Sequence, residues 1–206
     1  MAEKKQGTFV SPLWKNNPVV VQVLGICSAL AVTTQMKPAL VMGISLTCVL
    51  AFANVIISLL RNTIPNRIRI IVQLVVVAAL VIIVNQILQA FAFEVSKQLS
   101  VYVGLIITNC ILMGRLEAFA LGNKPWPAFL DGVGNGLGYA GILLLVATFR
   151  EFFGSGSLFG YKVLDWAEQY GYVNCGFFVM PSAALIILGC VIWYLRAKNP
   201  ELQEKD

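Results

Sequence analysis

The 206 residues are 58% hydrophobic and only 12% charged, with a mean hydropathy of +0.80. That composition defines a multi-pass membrane protein and excludes a soluble globular one. The net charge of +5 is the excess carried by cytoplasmic loops of inner-membrane proteins, so it points to a lipid bilayer and no nucleic acid. Histidine is absent, which removes His-ligated haem, the usual zinc sites and the commonest general base.

Residues 1–17 are polar after Lys4 and Lys5 and lack an apolar stretch followed by a small-residue cleavage site, so they read as a cytoplasmic N-terminal segment. Six hydrophobic segments follow: Pro18 to Thr33, Ala39 to Leu60, Ile68 to Phe93, Val101 to Gly114, Ala128 to Phe149, and Phe177 to Leu195. The second, third, fifth and sixth are long enough to span as helices. The first is interrupted around Gly25 and Ser28, and the fourth around Thr108 and Asn109. The stretch from Arg150 to Cys175 is expected to be an outer loop, with Phe152, Phe153, Trp166, Tyr170 and Tyr172 as an aromatic belt and Trp126 anchoring the opposite face.

Orientation follows from the cations. With the N-terminus inside, Lys4, Lys5, Lys15, Arg61, Arg67, Arg69, Arg115, Lys124, Arg196, Lys198 and Lys205 are cytoplasmic, and only Lys37, Lys97, Arg150 and Lys162 lie outside. Both termini are therefore expected in the cytoplasm. An odd number of segments per half turns the second half upside down relative to the first. The expected fold is an all-α membrane protein of six transmembrane helices, an inverted repeat of three plus three with short or broken first and fourth segments. Its parts are a first repeat over 18–93, an inverted second repeat over 94–195 and a cytoplasmic tail over 196–206.

Cys27 and Cys110 each lie nine residues into an interrupted segment, 83 residues apart. At about 1.5 Å per residue both fall near the centre of a hydrocarbon core roughly 30 Å thick. Cys48 and Cys190 reach a similar depth, but inside long segments with no matching partner, and Cys175 lies in the outer loop. A cysteine in a membrane helix is commonly plain packing; the matched pair in broken segments instead suits a metal centre. Two thiolates are half the usual ligand set of an iron–sulfur cluster, so another polypeptide must supply the rest.

Two further features carry alternatives. The glycines of Asp131-Gly-Val-Gly-Asn-Gly-Leu-Gly-Tyr139 fail the dinucleotide spacing and suit close helix approach through Gly132/Gly136 and Gly134/Gly138. Asp131 and Asn135 are ion-path candidates by virtue of an acid inside an apolar segment; the plainer reading of Asp131 is an interfacial acid near a helix start. Asn54, Asn85 and Asn135 suit interhelical hydrogen bonds or polar linings.

Several stretches carry a resemblance: Leu24-Gly-Ile-Cys27-Ser-Ala-Leu-Ala-Val-Thr33-Thr34, the run from Ser96 to Ala120 through Thr108-Asn109-Cys110, Asp131 to Tyr139, and Arg150 to Gly160. Over most of its length the chain resembles the D-type membrane subunits of bacterial Na⁺-translocating NADH:quinone oxidoreductases. The sibling E-type subunits of the Rnf ferredoxin:NAD⁺ oxidoreductases share the Leu13-to-Pro18 and Thr-Asn-Cys elements. The Ser96-to-Val101 run and the Gly-Asn-Gly-Leu-Gly stretch favour the quinone-reducing complex, and Leu116 stands where alanine is common in that family.

The resemblance implies a six-helix subunit of the bacterial inner membrane that pairs with a homologous, oppositely inserted E-type subunit. The pair would share one [2Fe–2S] cluster, with Cys27 and Cys110 at this chain's ligand positions, relaying electrons across the membrane. It further implies A-, B-, C- and F-type subunits, and sites for NADH, FAD, FMN, riboflavin and quinone on those other chains. The rival expectations are a secondary transporter-like ion-conducting subunit and a purely structural scaffold.

Overall fold

The computed structural model describes residues 18–65, 67–91, 104–155, 157–158, 161–162 and 176–198. The N-terminal segment, Trp166, Tyr170, Tyr172, Cys175 and the tail beyond residue 198 lie outside the described residues. The helices are α1 (Ile26–Val32), α2 (Met36–Leu60), α3 (Arg69–Phe91), α4 (Cys110–Arg115), α5 (Pro125–Ser155) and α6 (Pro181–Lys198). A π-helical turn, Leu116–Ala120, continues α4, and a 3₁₀ turn, Gly176–Val179, precedes α6. One two-residue antiparallel ladder pairs Ser157 with Lys162 and Leu158 with Tyr161; otherwise the described fold is helical.

Three helices have the length and apolar composition to cross a membrane: Met36–Leu60, Arg69–Ala90 and Pro125–Gly154. They are apolar on every side. On α3 the side chains of Ile70, Ile71, Val75, Ile82, Ile83 and Ile87 are exposed while Gln73, Val77 and Val81 are buried. Such an all-round apolar helix is stable only in surroundings as apolar as itself.

The α2–α5 pair is the centre of the fold. Ala39, Met42, Leu46, Val49, Leu50, Ala53 and Ile57 recur on one stripe of α2 and are buried, the spacing of a single helix face. Small residues let the two backbones meet. A Cβ on Gly43 would lie 2.9 Å from Ala140 Cβ, one on Gly136 2.8 Å from Thr47 Cα, and one on Gly132 2.9 Å from Ala51 Cα. The contacts run in opposite directions along the two chains, so the helices are antiparallel. Polar bonds extend the seam: Asn54 Nδ2 donates to the Ala128 carbonyl at 3.0 Å, and Ser58 Oγ to that of Asn123 at 2.5 Å. The Gly132/Gly136 pair therefore serves close approach as its spacing predicts, and Asn54 is an interhelical donor.

Three expectations need correction. Pro18 to Gly25 is a sequence of turns, closed by Leu24 N–H on the Pro18 carbonyl at 3.0 Å, and helix begins only at Ile26. Arg150 does not start a loop, since α5 runs on to Ser155 and Arg150 is 1% exposed. The sixth segment yields a shorter apolar helix, Pro181–Ala197, because residues 176–179 form the 3₁₀ turn and Pro181, with its fixed φ and missing N–H, suits a helix start.

Candidate functional site: the crossing of two interrupted segments

Each interruption has a local cause. Before α1, Val23 and Gly25 both have positive φ (55° and 80°), conformations that end regular structure and that glycine adopts at little cost. Before α4, a helical turn over 104–107 stops at Thr108, and Asn109 turns extended (φ −70°, ψ 123°). The Asn109 side-chain oxygen then caps the new helix by accepting from Ile111 N–H at 3.2 Å. Cys27 and Cys110 consequently stand in the first turns of two separate short helices.

The two interruptions meet. Gly25 N–H donates to Cys110 Sγ at 2.8 Å, which puts the sulfur of one segment against the chain two residues ahead of Cys27. Asn109 Nδ2 donates to Ser28 Oγ at 3.0 Å, and Ser28 Oγ lies 2.6 Å from the Tyr139 hydroxyl. Ser28 gives its own proton to the Gly25 carbonyl at 2.9 Å, so Tyr139 is the donor in the shared bond. A Cβ on Gly25 would sit 2.6 Å from Ile111 Cδ1 and 3.0 Å from Tyr139 Cε2, and the φ of 80° would strain any side chain there.

The depth is fixed by α5. Tyr139 lies fourteen residues after Pro125 and fifteen before Gly154, or about 21 Å and about 22 Å from the ends of that span. Ser28, Asn109 and Tyr139 are buried, whereas the cysteines themselves are exposed on this chain. Cys48 and Cys190 are exposed too, and among the described residues no hydrogen bond joins either to the crossing.

The donor set fits part of an iron–sulfur site. Two accessible thiols flank a preformed crossing, and one already receives an N–H bond of the kind that surrounds cluster sulfurs. Among the described residues no three His, Cys, Asp or Glu side chains converge.

Asp131 and Asn135 form a second polar group, nearer the end of α5 that carries Trp126. Asp131 is 2% exposed and held by two nitrogens of Arg115, with Nε at 3.0 Å from Oδ2 and Nη2 on Oδ1. Asn135 Nδ2 donates to Asp131 Oδ1 at 3.0 Å, while Asn135 Oδ1 is buried without a hydrogen-bond partner among the described residues. The neighbouring π-helical turn carries Glu117, paired with Arg69 at 2.5 Å and with Gln73 Nε2 at 3.1 Å.

At the opposite end, two adjacent residues that the sequence places in a loop hold three helix ends. Arg150 donates to the carbonyls of Leu30, Phe178, Val179 and Met180 and to Thr33 Oγ1, the last at 2.7 Å. Its charge thus faces the C-terminal ends of α1 and of the 3₁₀ turn, where helix dipoles favour a cation. Glu151 accepts from Met36 N–H at 2.7 Å, at the start of α2, where the dipole favours an anion.

The class defined by these features is an integral membrane subunit built of antiparallel apolar helices around two broken segments. The model of the Rnf-Nqr family (Rnf-Nqr subunit, membrane protein) matches residues 6–192, and the chain belongs to that family. It is 53% identical over 210 residues to the D subunit of the Na(+)-translocating NADH-quinone reductase of Aeromonas hydrophila, covering 100% of both chains. A protein of the same name from Tolumonas auensis is 56% identical over 197 residues, covering 95% of this chain and 92% of its own. One from Yersinia pestis is 53% identical over 209 residues, with 100% of both chains covered.

Proposed function

We propose that this chain is the D-type membrane subunit of a Na⁺-translocating NADH:quinone reductase, and that Cys27 and Cys110 supply half the ligands of an intramembrane [2Fe–2S] cluster. The observation that carries this reading is the bond from Gly25 N–H to Cys110 Sγ, which joins the two cysteine-bearing interruptions. Full-length identity to relatives named as that subunit supports the complex. A bound cluster supplies one-electron transfer, dividing a passage of roughly 30 Å of hydrocarbon into two shorter steps. Around it the chain orients the two thiols, keeps the ligand segments apart from water with Ile111, Leu112 and Tyr139, and leaves both sulfurs open to a partner.

That partner is the homologous E-type subunit, inserted the other way, within a complex that also holds A-, B-, C- and F-type subunits. NADH, FAD, FMN, riboflavin and quinone belong to those other chains. The inverted repeat, with units over 18–93 and 94–195, is supported by the antiparallel α2–α5 seam, since these are the middle helices of the two halves. Arg69, Arg115 and Lys124 gather at the end of the molecule where α2 finishes and α5 begins, which supports a cytoplasmic location for that end and for both termini. The membrane is the bacterial inner membrane.

Replacing Cys27 or Cys110 by alanine is expected to abolish quinone reduction while NADH oxidation at the flavin of another subunit continues. Unimpaired quinone reduction in either variant would refute the assignment and favour the scaffold reading. The ion-path reading of Asp131 and Asn135 stands second and rests on the unpartnered Asn135 Oδ1. Because Arg115 occupies the Asp131 carboxylate, passage requires that pair to part. Asp131→Asn should then slow Na⁺ uptake by the complex in vesicles, and an unchanged rate would remove it.

A further inference from the structure

The hydrogen bonds at the crossing are connected in series. Tyr139 O–H donates to Ser28 Oγ, Ser28 O–H donates to the Gly25 carbonyl, and Gly25 N–H donates to Cys110 Sγ. Tyr139 is 0% exposed and belongs to α5, whereas Gly25 is the residue that precedes α1, its carbonyl accepting from Ala29 N–H at 3.1 Å as well as from Ser28 Oγ. The Tyr139 ring also packs against Gly25, 3.0 Å from where a Cβ would stand. The residue whose N–H reaches the sulfur is therefore braced by Ser28 and by the Tyr139 ring, and Ser28 is held in turn by the Tyr139 hydroxyl and by Asn109 Nδ2.

We infer that Tyr139, acting through Ser28, is a positioning residue for the redox centre: it fixes the hydrogen bond from Gly25 N–H to the Cys110 sulfur and so sets the reduction potential. The inference rests on the ligand assignment under Proposed function. A hydrogen bond to a ligand sulfur strengthens as that sulfur gains negative charge, so it stabilises the reduced state and raises the potential. Loosening the bond lowers it. The couple concerned is the gain of one electron, with no bond in this chain made or broken.

The test is a mediated titration of the purified intact complex, with dithionite as electron donor and the iron signal followed by electron paramagnetic resonance. Tyr139→Phe, which removes one oxygen and keeps the ring, should retain iron and shift the midpoint to lower potential. Ser28→Ala, which removes every bond of the relay at that residue, should shift it further. Because the links act in series, the double variant should match Ser28→Ala rather than sum the two shifts. Tyr194→Phe, at an exposed tyrosine of α6, should leave the midpoint at its native value. Should Tyr139→Phe fail to assemble, Ser28→Thr against Ser28→Ala reads the same link, the threonine keeping the native midpoint and the alanine lowering it. Retained iron with a native midpoint in Ser28→Ala overturns the inference alone. Iron content that is native in Cys27→Ala overturns the ligand assignment beneath it.

Discussion

Among single residues, Gly25 carries the most constraint for the least mass. Its φ of 80° is costly for any side chain, and an added Cβ would lie 2.6 Å from Ile111 Cδ1. Gly25→Ala should therefore destabilise the subunit by about 1–3 kcal/mol and weaken the bond to Cys110. A lowered thermal midpoint of complex dissociation is the expected result, and a native midpoint would show that the crossing is slack. The asparagine before Cys110 is visible in sequence only as part of an interruption. Its two functions, capping Ile111 and reaching Ser28, depend on a partner 81 residues away, which no local pattern encodes. Tyr139 is likewise legible only as the end of a glycine stretch.

The elements divide into long apolar rods and short pieces held by their ends. The rods are legible because composition and length decide them; α2 and α3 lie within about three residues of the apolar segments that announce them, while α5 runs six residues past the end of its own. The short pieces are not. Nothing in Pro18 to Gly25 marks a run of turns except Gly25 itself, since apolar residues serve equally in a buried turn and a membrane helix. Arg150 misleads because a charge at the end of an apolar run looks like a loop. Its guanidinium instead answers carbonyls at the ends of α1 and the 3₁₀ turn. Arg150→Met takes the donor from these part-buried carbonyls and from the buried Thr33 Oγ1, the last alone costing about 1–3 kcal/mol if left unsatisfied. It should release α1 and make Cys27 react faster with maleimide in the purified complex. Arg150→Lys should restore only part of the protection, because an ammonium cannot fork across two helix ends. Equal reactivity in native and Met variants would mean that α1 is held elsewhere. Gly136→Val tests the rods in the same way. A Cβ there already meets Thr47 Cα at 2.8 Å, so the helices must separate, at about 1–3 kcal/mol, with reduced yield of assembled complex.

At the scale of the molecule, the antiparallel α2–α5 seam makes one scaffold from two halves, and the broken segments cross beside it at the mid-depth of α5. That arrangement explains why two cysteines far apart in sequence flank the same small polar network while Cys48 and Cys190 stand apart from it. Both sulfurs are exposed on this chain, as the proposed sharing of a centre with a partner would require. The exposed apolar surface on α3 and α6 is suited to lipid or to neighbouring subunits. The matched positions of Cys27 and Cys110 are legible from spacing alone; that they approach through Gly25 is not, because the approach is a property of the turns.

Iron and acid-labile sulfide, counted per purified complex before and after replacing Cys27, test the ligand role most directly. The account predicts that Cys27→Ala removes one [2Fe–2S] equivalent while every subunit remains assembled. An intact complex of the variant with native iron and sulfide would contradict it.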